Sequence, residues 1–220
     1  MSYKNILFDL DGTLTDSSEG IIKCVLHTYE KMGVTPPAEE LLTTFIGPPL
    51  SDSFARCGIK EENIREAIDI YRQRYNTVGK FENKPYPGII ELLQKLRDQG
   101  CKLYVATSKP EGPASEILDH FDMAKYFDEI AGATVSAKRE KKEDVIQYLL
   151  DKISPADSDE GLAETVMIGD TSYDVIGASK FNIPCIAVTW GFGDLEDMKQ
   201  NGAIAVAETM DELYNHITGV

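Results

Sequence analysis

The spacing of hydrophobic residues divides this chain into two kinds of segment. A short apolar run, Asn5–Phe8, is long enough to form a strand that is buried on both faces. Between residues 16 and 78 the apolar side chains instead recur every three or four positions, most regularly over 61–77. This spacing is typical of amphipathic helices, and nothing in that range alternates like a strand. We therefore predict a helical domain, residues 16–83, inserted after the first strand.

Beyond a glycine- and proline-containing linker at 79–88, short apolar runs alternate with helical patterns. The predicted strands are 101–107, 128–131, 165–169, 184–189 and 203–206, and the predicted helices are 89–99, 111–120, 143–152, 172–180, 194–200 and 209–217. Such alternation requires parallel pairing with helices as the connections. The fold class predicted is α/β, a parallel Rossmann-like sheet with helices on both faces. Residues 1–15 and 84–220 would form this core.

Acidic and hydroxyl side chains follow three of the predicted strands. They are Asp9 and Asp11, Thr107 and Ser108, and Asp170 and Asp174. Ligands of open α/β sheets collect at the carboxyl ends of the strands, so these side chains are expected to converge. Two carboxylates one residue apart repel each other when buried, and a bound cation offsets that repulsion. Hard oxygen ligands favour Mg²⁺.

The formal net charge of −15 argues against a nucleic-acid partner or an anionic membrane surface, because both attract basic proteins. The four cysteines lie far apart without a CxxC pair, and neither a signal peptide nor an apolar run of membrane-spanning length is visible. These features predict a cytoplasmic protein with reduced thiols. They leave open whether it is a monomer or a dimer.

Three segments resemble motifs of the haloacid dehalogenase superfamily, in its phosphatase branch. FDLDGTLTDS at 8–17 resembles the first motif, VATSKP at 105–110 the second, and MIGDTSYD at 167–174 the fourth. They occur in the family's order, and the helical insert stands where relatives of the phosphoglycolate phosphatase type have a C1-type cap. The resemblance implies a core of that superfamily's fold with an inserted helical cap.

The resemblance also implies roles for the acidic residues. Asp9 would be the nucleophile that forms an aspartyl-phosphate, and Asp11 the general acid and base. Mg²⁺ would be held by Asp9, Asp170 and the backbone carbonyl of Asp11, with Asp174 as a supporting carboxylate. A carboxylate suits the nucleophilic role because it is already ionised at neutral pH.

The phosphate-binding residues implied are Thr107, through its hydroxyl, and Ser108, through its backbone N–H. The family's third motif contributes a lysine, for which Lys138, Lys141 and Lys142 compete. We favour Lys142 because it directly precedes the apolar helix, and Lys141 is the second choice. Within the insert, TFIGPPL at 44–50 resembles the substrate loop of related caps. Gly47 is therefore expected to contact substrate.

The sequence thus favours a Mg²⁺-dependent phosphatase that acts on a small phosphomonoester, like a phosphoglycolate phosphatase or a 5′-nucleotidase. A sugar phosphomutase resembling β-phosphoglucomutase is the nearest alternative, since it would use the same nucleophile and return the phosphoryl group to a sugar. A non-catalytic binding protein that retained the fold is a third. The substrate itself is not specified by any spacing rule.

Overall fold

The computed structural model describes residues 2–134, 139, 141–153 and 162–220. By its internal contacts the chain forms two compact units. One comprises Met1–Thr15 and Pro85–Val220, and the other comprises Asp16–Lys84.

The Asp16–Lys84 unit is helical, as its periodicity predicted. Its helices are α1 (Ser18–Met32), α2 (Glu39–Leu42), α3 (Leu50–Arg56) and α4 (Ile64–Thr77). Helix α1 ends at Gly33, whose left-handed backbone conformation closes the last turn. An aromatic cluster fills the interior, where the Phe54 ring contacts those of Tyr29, Phe45 and Tyr71. Aromatic packing of this kind stabilises a small unit because each ring buries a large apolar area.

The strands of the structure are β1 (Asn5–Phe8), β2 (Thr15–Asp16), β3 (Lys84–Pro85), β4 (Lys102–Pro110), β5 (Glu129–Ala133), β6 (Thr165–Gly169), β7 (Cys185–Val188) and β8 (Ala205–Ala207). Strands β2 and β3 pair where the chain leaves and re-enters the core. The other six form one sheet in the order β5-β4-β1-β6-β7-β8, and every pair is parallel. The predicted parallel sheet is confirmed, with β1 in its interior between β4 and β6.

Helices cover both faces of this sheet. They are α5 (Ile89–Asp98), α6 (Glu111–His120), α7 (Lys142–Ile153), α8 (Ser172–Ser179), α9 (Leu195–Gln200) and α10 (Met210–Thr218). Ile6 and Phe8 of β1 join the apolar cluster beneath α5, α6 and α10, whereas Leu7 joins the cluster beneath α7, α8 and α9. This division follows from the alternation of side chains along a strand. No helix in the described ranges combines the length and the apolar character that a membrane crossing needs.

Strand β4 is longer than predicted. The sequence indicated a strand over 101–107, but the extended conformation continues to Pro110, which pairs with Ala133 of β5. The register shifts between Ala106 and Pro110, as at a β-bulge. A bulge bends the strand and redirects side chains. The residues after Ala106 therefore form the carboxyl end of β4 and still pair with β5.

Candidate active site

Asp9 lies directly after β1 and is only 8% exposed. Its backbone N–H donates to the carbonyl of Ile168, and its Oδ1 accepts a 2.7 Å hydrogen bond from the backbone N–H of Leu10. The chain then turns sharply, because Leu10 accepts hydrogen bonds at its carbonyl from both Leu14 and Thr15. Asp9 is thus held at the carboxyl edge of the sheet, in the position that the strand pattern predicted.

Lys142, the first residue of α7, extends its side chain to Asp9. Its Nζ lies 2.8 Å from Asp9 Oδ1 and 2.8 Å from Asp174 Oδ1, and donates a 3.0 Å hydrogen bond to the carbonyl of Ala106. Lys141 is exposed instead, and its backbone N–H donates to Asp144. Lys138 lies outside the described residues. Of the candidates that the structure describes, Lys142 is the one beside the predicted nucleophile, and its catalytic role stays a prediction.

Asp170, just past β6, is almost fully buried at 1% exposure. Its Oδ2 accepts a 2.8 Å hydrogen bond from the backbone N–H of Phe192, and its Oδ1 accepts one of 3.3 Å from Thr13 Oγ1. Gly12 and Gly191 lie so close that a Cβ atom on them would approach Asp170 Oδ2 to 2.1 and 2.3 Å. The carboxylate is therefore fixed by two loops in which these positions must lack side chains.

Asp174 is fully buried on α8, the helix that β6 leads into. Its Oδ2 accepts hydrogen bonds from both the backbone N–H and the hydroxyl of Thr171, at 3.1 and 2.8 Å. Its Oδ1 faces the ammonium of Lys142. Asp174 thus caps the N-terminus of α8 through Thr171 and at the same time pairs with the lysine, which is the arrangement expected of a supporting carboxylate.

Asp9, Asp170 and Asp174 bring one carboxylate oxygen each to within 4.8 Å of one another. Burial raises the pKa of Asp9 to about 6, although the Lys142 ammonium opposes the shift, and the charge of Asp174 adds to it. Burial also raises the pKa of Asp170 well above its ordinary range, with further upward contributions from Asp174 and Asp9. One ammonium among three carboxylates leaves excess negative charge, and hard oxygen donors suit Mg²⁺. The residues present fit that ion.

Asp11 and Lys109 form an ion pair that the sequence did not indicate. The Nζ of Lys109 lies 2.7 Å from Asp11 Oδ2, and the two side chains are 6% and 14% exposed. In the same segment, Thr107 is buried and its hydroxyl accepts a 3.2 Å hydrogen bond from the backbone N–H of Lys109. Ser108 is half-buried beside it. The extended end of β4 thus brings a hydroxyl and a second ammonium to the edge that holds Asp9.

Gly47, the remaining predicted contact, belongs to the Asp16–Lys84 unit. It follows the short helical turn Thr43–Phe45 and has a positive φ of 102°. This conformation is readily adopted by glycine and strained for most other residues. Its contact with substrate stays a prediction.

Sequence reasoning missed two further parts of the site. Lys109 stood within the recognised segment VATSKP, but its partner Asp11 is distant in the chain. Gly191 and Phe192 follow β7 and lie outside the three recognised motifs, yet in the structure they brace Asp170. Trp190, in the same loop, donates its indole N–H to the carbonyl of Thr13. A glycine pair just after a late strand was the one available signal of a close approach.

Comparison with known proteins finds relatives that match most of this chain. A 5′-nucleotidase from Pseudomonas aeruginosa is 42% identical over 202 residues, which cover 90% of this chain and 88% of that protein. The tyrosine-protein kinase PtkA of Mycobacterium tuberculosis is 39% identical, over 94% of this chain and 70% of that protein. The crystal structure of a predicted phosphatase from Clostridium acetobutylicum matches with a TM-score of 0.89 and 44% identity, and covers 99% of each chain.

The family model described as haloacid dehalogenase-like hydrolase matches residues 6–188, which include β4, β6, the helical insert and all of β1 except its first residue. The resemblance inferred from the three sequence motifs is therefore confirmed. This chain belongs to the haloacid dehalogenase-like hydrolase family.

Proposed function

We propose that this protein is a Mg²⁺-dependent phosphatase that hydrolyses a small phosphomonoester through an aspartyl-phosphate on Asp9. The observation that supports it most directly is the cluster of Asp9, Asp170 and Asp174, two of which, Asp9 and Asp174, contact the ammonium of Lys142. Phosphoryl transfer needs fixed positive charge beside an anionic nucleophile and an anionic substrate. Family membership and relatives named as phosphatase and nucleotidase support the same chemistry.

Asp9, Asp170 and the backbone carbonyl of Asp11 would hold the metal, with Asp174 close by. When bound, Mg²⁺ neutralises negative charge on the phosphoryl oxygens and on the nucleophile. Lys142 contributes permanent positive charge beside Asp9, since its own pKa is raised above the usual range: the carboxylates of Asp174 and Asp9 outweigh the opposing effect of burial. The protein thus compensates part of the charge itself.

The reaction would proceed in two displacements. The Asp9 carboxylate bonds to phosphorus while the bond from phosphorus to the leaving oxygen breaks, and Asp11 transfers a proton to that oxygen. The hydroxyl of Thr107 and the backbone N–H of Ser108 orient the phosphoryl group. Asp11, now ionised, then takes a proton from a water molecule. The oxygen of that water bonds to phosphorus while the bond from phosphorus to Asp9 breaks. Inorganic phosphate leaves and the Asp9 carboxylate is restored.

We assign the helical unit Asp16–Lys84 the role of a cap that recognises the leaving group, with Gly47 in its substrate loop. The substrate class would be a small phosphorylated metabolite, with phosphoglycolate and 5′-nucleoside monophosphates as the first candidates. All four cysteines are free thiols, a state that a reducing compartment maintains. We propose that the enzyme acts in the cytoplasm.

The test is phosphate release by the purified protein from p-nitrophenyl phosphate, phosphoglycolate and 5′-nucleoside monophosphates. Each is assayed with Mg²⁺ and again after chelation, with Asp9→Asn as the matched inactive variant. We expect Mg²⁺-dependent release by the wild type alone. No release from any substrate would contradict the proposal and favour a binding protein.

Two further assays separate the alternative group transfers. Isomerisation of a sugar phosphate without release of phosphate would indicate a mutase. Transfer from ATP to a tyrosine peptide is included because one relative is named as a tyrosine kinase. Such transfer without hydrolysis of any phosphomonoester would also overturn the proposal.

A further inference from the structure

Lys109 is a buried ammonium that the mechanism above does not use. It lies in the last part of β4, within the stretch from Ala106 to Pro110 over which the register shifts, and its side chain is only 6% exposed. Its Nζ is 2.7 Å from Asp11 Oδ2, the carboxylate assigned to proton transfer. Burying a long cationic side chain costs solvation and rotamer freedom, so its position beside a catalytic acid calls for a functional explanation.

The backbone and the side chain of Asp11 are held by different parts of the protein. The turn fixes the backbone, since Gly12 donates its N–H to the carbonyl of Thr15 and Asp11 forms an isolated β-bridge with Thr15. The carboxylate has an ion-pair partner on one side only among the described residues. Its Oδ2 meets Lys109, while its Oδ1 is buried and accepts no hydrogen bond from the residues that the structure describes.

This asymmetry suits a group that transfers a proton. One oxygen must be held so that the carboxylate keeps its direction, and the other must be available to the leaving oxygen. A misplacement of about 1 Å can cost on the order of 10²-fold in rate. The contact with Lys109 restricts rotation of the Asp11 side chain, and Oδ1 keeps its capacity for a hydrogen bond because no described residue donates to it.

Lys109 is itself anchored in the phosphate-binding segment. Its backbone N–H donates to the hydroxyl of Thr107, and the next residue, Pro110, pairs with β5 through Ala133. The segment that orients the phosphoryl group therefore also orients the proton donor. A single rigid element would set the geometry of both ends of the bond that breaks.

We propose that Lys109 is a positioning residue that holds the Asp11 carboxylate by Oδ2 and presents Oδ1 to the oxygen of the leaving group. The proposal rests on the proposed phosphatase function. It distinguishes Lys109 from Lys142, whose ammonium lies beside the nucleophile Asp9. It also distinguishes Lys109 from a residue that only attracts the phosphate group, because such a residue would assist all phosphomonoesters alike.

Leaving-group dependence separates these roles. An alkyl phosphate expels an alkoxide, which needs a proton as it departs, whereas p-nitrophenyl phosphate expels a stable phenolate that needs little help. The parameter kcat/KM reports the steps up to formation of the aspartyl-phosphate, so it isolates departure of the leaving group from later hydrolysis. The alkyl substrate is whichever of phosphoglycolate and the 5′-nucleoside monophosphates the wild type hydrolyses fastest.

The variants are Lys109→Ala, Lys109→Arg, Asp11→Asn and the double variant Lys109→Ala with Asp11→Asn. Lys4→Ala is the control, because Lys4 forms an exposed ion pair with Glu164 on the surface of the same unit. For Lys109→Ala we expect kcat/KM to fall roughly 10²-fold on the alkyl substrate and to stay within roughly threefold on p-nitrophenyl phosphate. Lys109→Arg should restore much of the loss, since its guanidinium can pair with the same carboxylate.

The double variant tests whether the two residues act together. If Lys109 acts through Asp11, removing both should cost no more on the alkyl substrate than Asp11→Asn alone. An equal loss on both substrates, or an additive loss in the double variant, would overturn the inference while the proposed function stands. A wild type that releases phosphate from neither substrate would instead refute the proposed function and this inference with it.

Discussion

The proposed catalytic edge of the core, where Asp9, Asp11, Asp170 and Asp174 lie, differs from the charged network of the helical unit in how its acidic side chains are paired. In the helical unit, Glu82 is paired with two cations: Arg74 contacts both of its oxygens, at 2.6 and 3.2 Å, and Lys23 lies 3.1 Å away. The hydrogen bonds from Arg74 have the largest effect, and together with Lys23 they hold the pKa of Glu82 below its ordinary value. Partial burial opposes this shift. The negative charge of Glu82 is therefore balanced by positive charge within the same unit.

At the catalytic edge the balance is reversed. Four carboxylates, those of Asp9, Asp11, Asp170 and Asp174, share two ammonium groups, those of Lys109 and Lys142. Here the effect of burial exceeds that of the Lys142 ammonium, and the pKa of both Asp9 and Asp170 is raised. Buried acids with strongly perturbed pKa values cluster at functional sites, whereas the net contribution of an ion pair near the surface is to local stability. The following predictions test that difference.

The largest effect is expected from Asp9→Asn. The amide is almost isosteric and keeps an oxygen to accept the Leu10 N–H, but it is a very poor nucleophile. We expect turnover to fall at least roughly 10³-fold, as on removal of other nucleophiles. Thermal unfolding should be unchanged or occur at a higher temperature, because one uncompensated charge is removed. Activity near that of the wild type would refute the assignment of Asp9.

Replacement of Lys142 should have the next largest effect. Lys142→Ala removes the ammonium from beside Asp9, and we expect a rate loss on the order of 10²-fold or more, as for other preorganised electrostatic groups. Lys141→Ala is the matched control, since that side chain is exposed. Steady-state kinetics measure the turnover of both variants. A large loss in Lys141→Ala together with normal turnover in Lys142→Ala would contradict the assignment of Lys142.

Mg²⁺ should stabilise the catalytic edge measurably. In wild-type protein, saturating Mg²⁺ should raise the unfolding temperature, with about 2.7 kcal/mol available at a ligand concentration 100 times Kd. Asp170→Asn should abolish that rise and, by relieving repulsion, raise the unfolding temperature of the metal-free protein. Glu196→Gln, on the surface helix α9, is the control and should respond like wild type. A rise in Asp170→Asn equal to that of the wild type would exclude Asp170 as a ligand.

The smallest effect is expected in the compensated network. Glu82→Gln should lower the free energy of unfolding by about 1 kcal/mol at neutral pH, the range of a well-paired ion pair near the surface. Because the pKa of Glu82 is lowered on folding, its contribution is complete above the ordinary glutamate pKa of about 4.3 and disappears as pH falls through the folded-state pKa. Urea titrations of both proteins at several pH values measure this. If the difference in the free energy of unfolding between the two proteins persisted in strong acid, it would not arise from the charge of Glu82.

Much of the fold could be predicted because its elements are encoded locally. The apolar run Asn5–Phe8 and the strand at 165–169 have the predicted bounds, and the helix at 111–120 likewise matches α6. The places where a predicted strand is followed directly by polar residues also predicted which side chains meet at the sheet edge, since parallel strands align their carboxyl ends. The predicted strand at 101–107 ended too early. Its continuation to Pro110 depends on pairing with β5 across a β-bulge, which the local spacing of apolar residues does not indicate.

The sequence by itself determined the alternation of elements, the order of the motifs and the carboxylates that meet at the catalytic edge. The tertiary structure decided which of the neighbouring lysines Lys141 and Lys142 faces Asp9, because that depends on the direction of the first turn of α7. It also decided the contact between Lys109 and Asp11 and the bracing of Asp170 by Phe192. These contacts join residues far apart in the chain, and only the packing of whole strands and loops brings such residues within hydrogen-bonding distance.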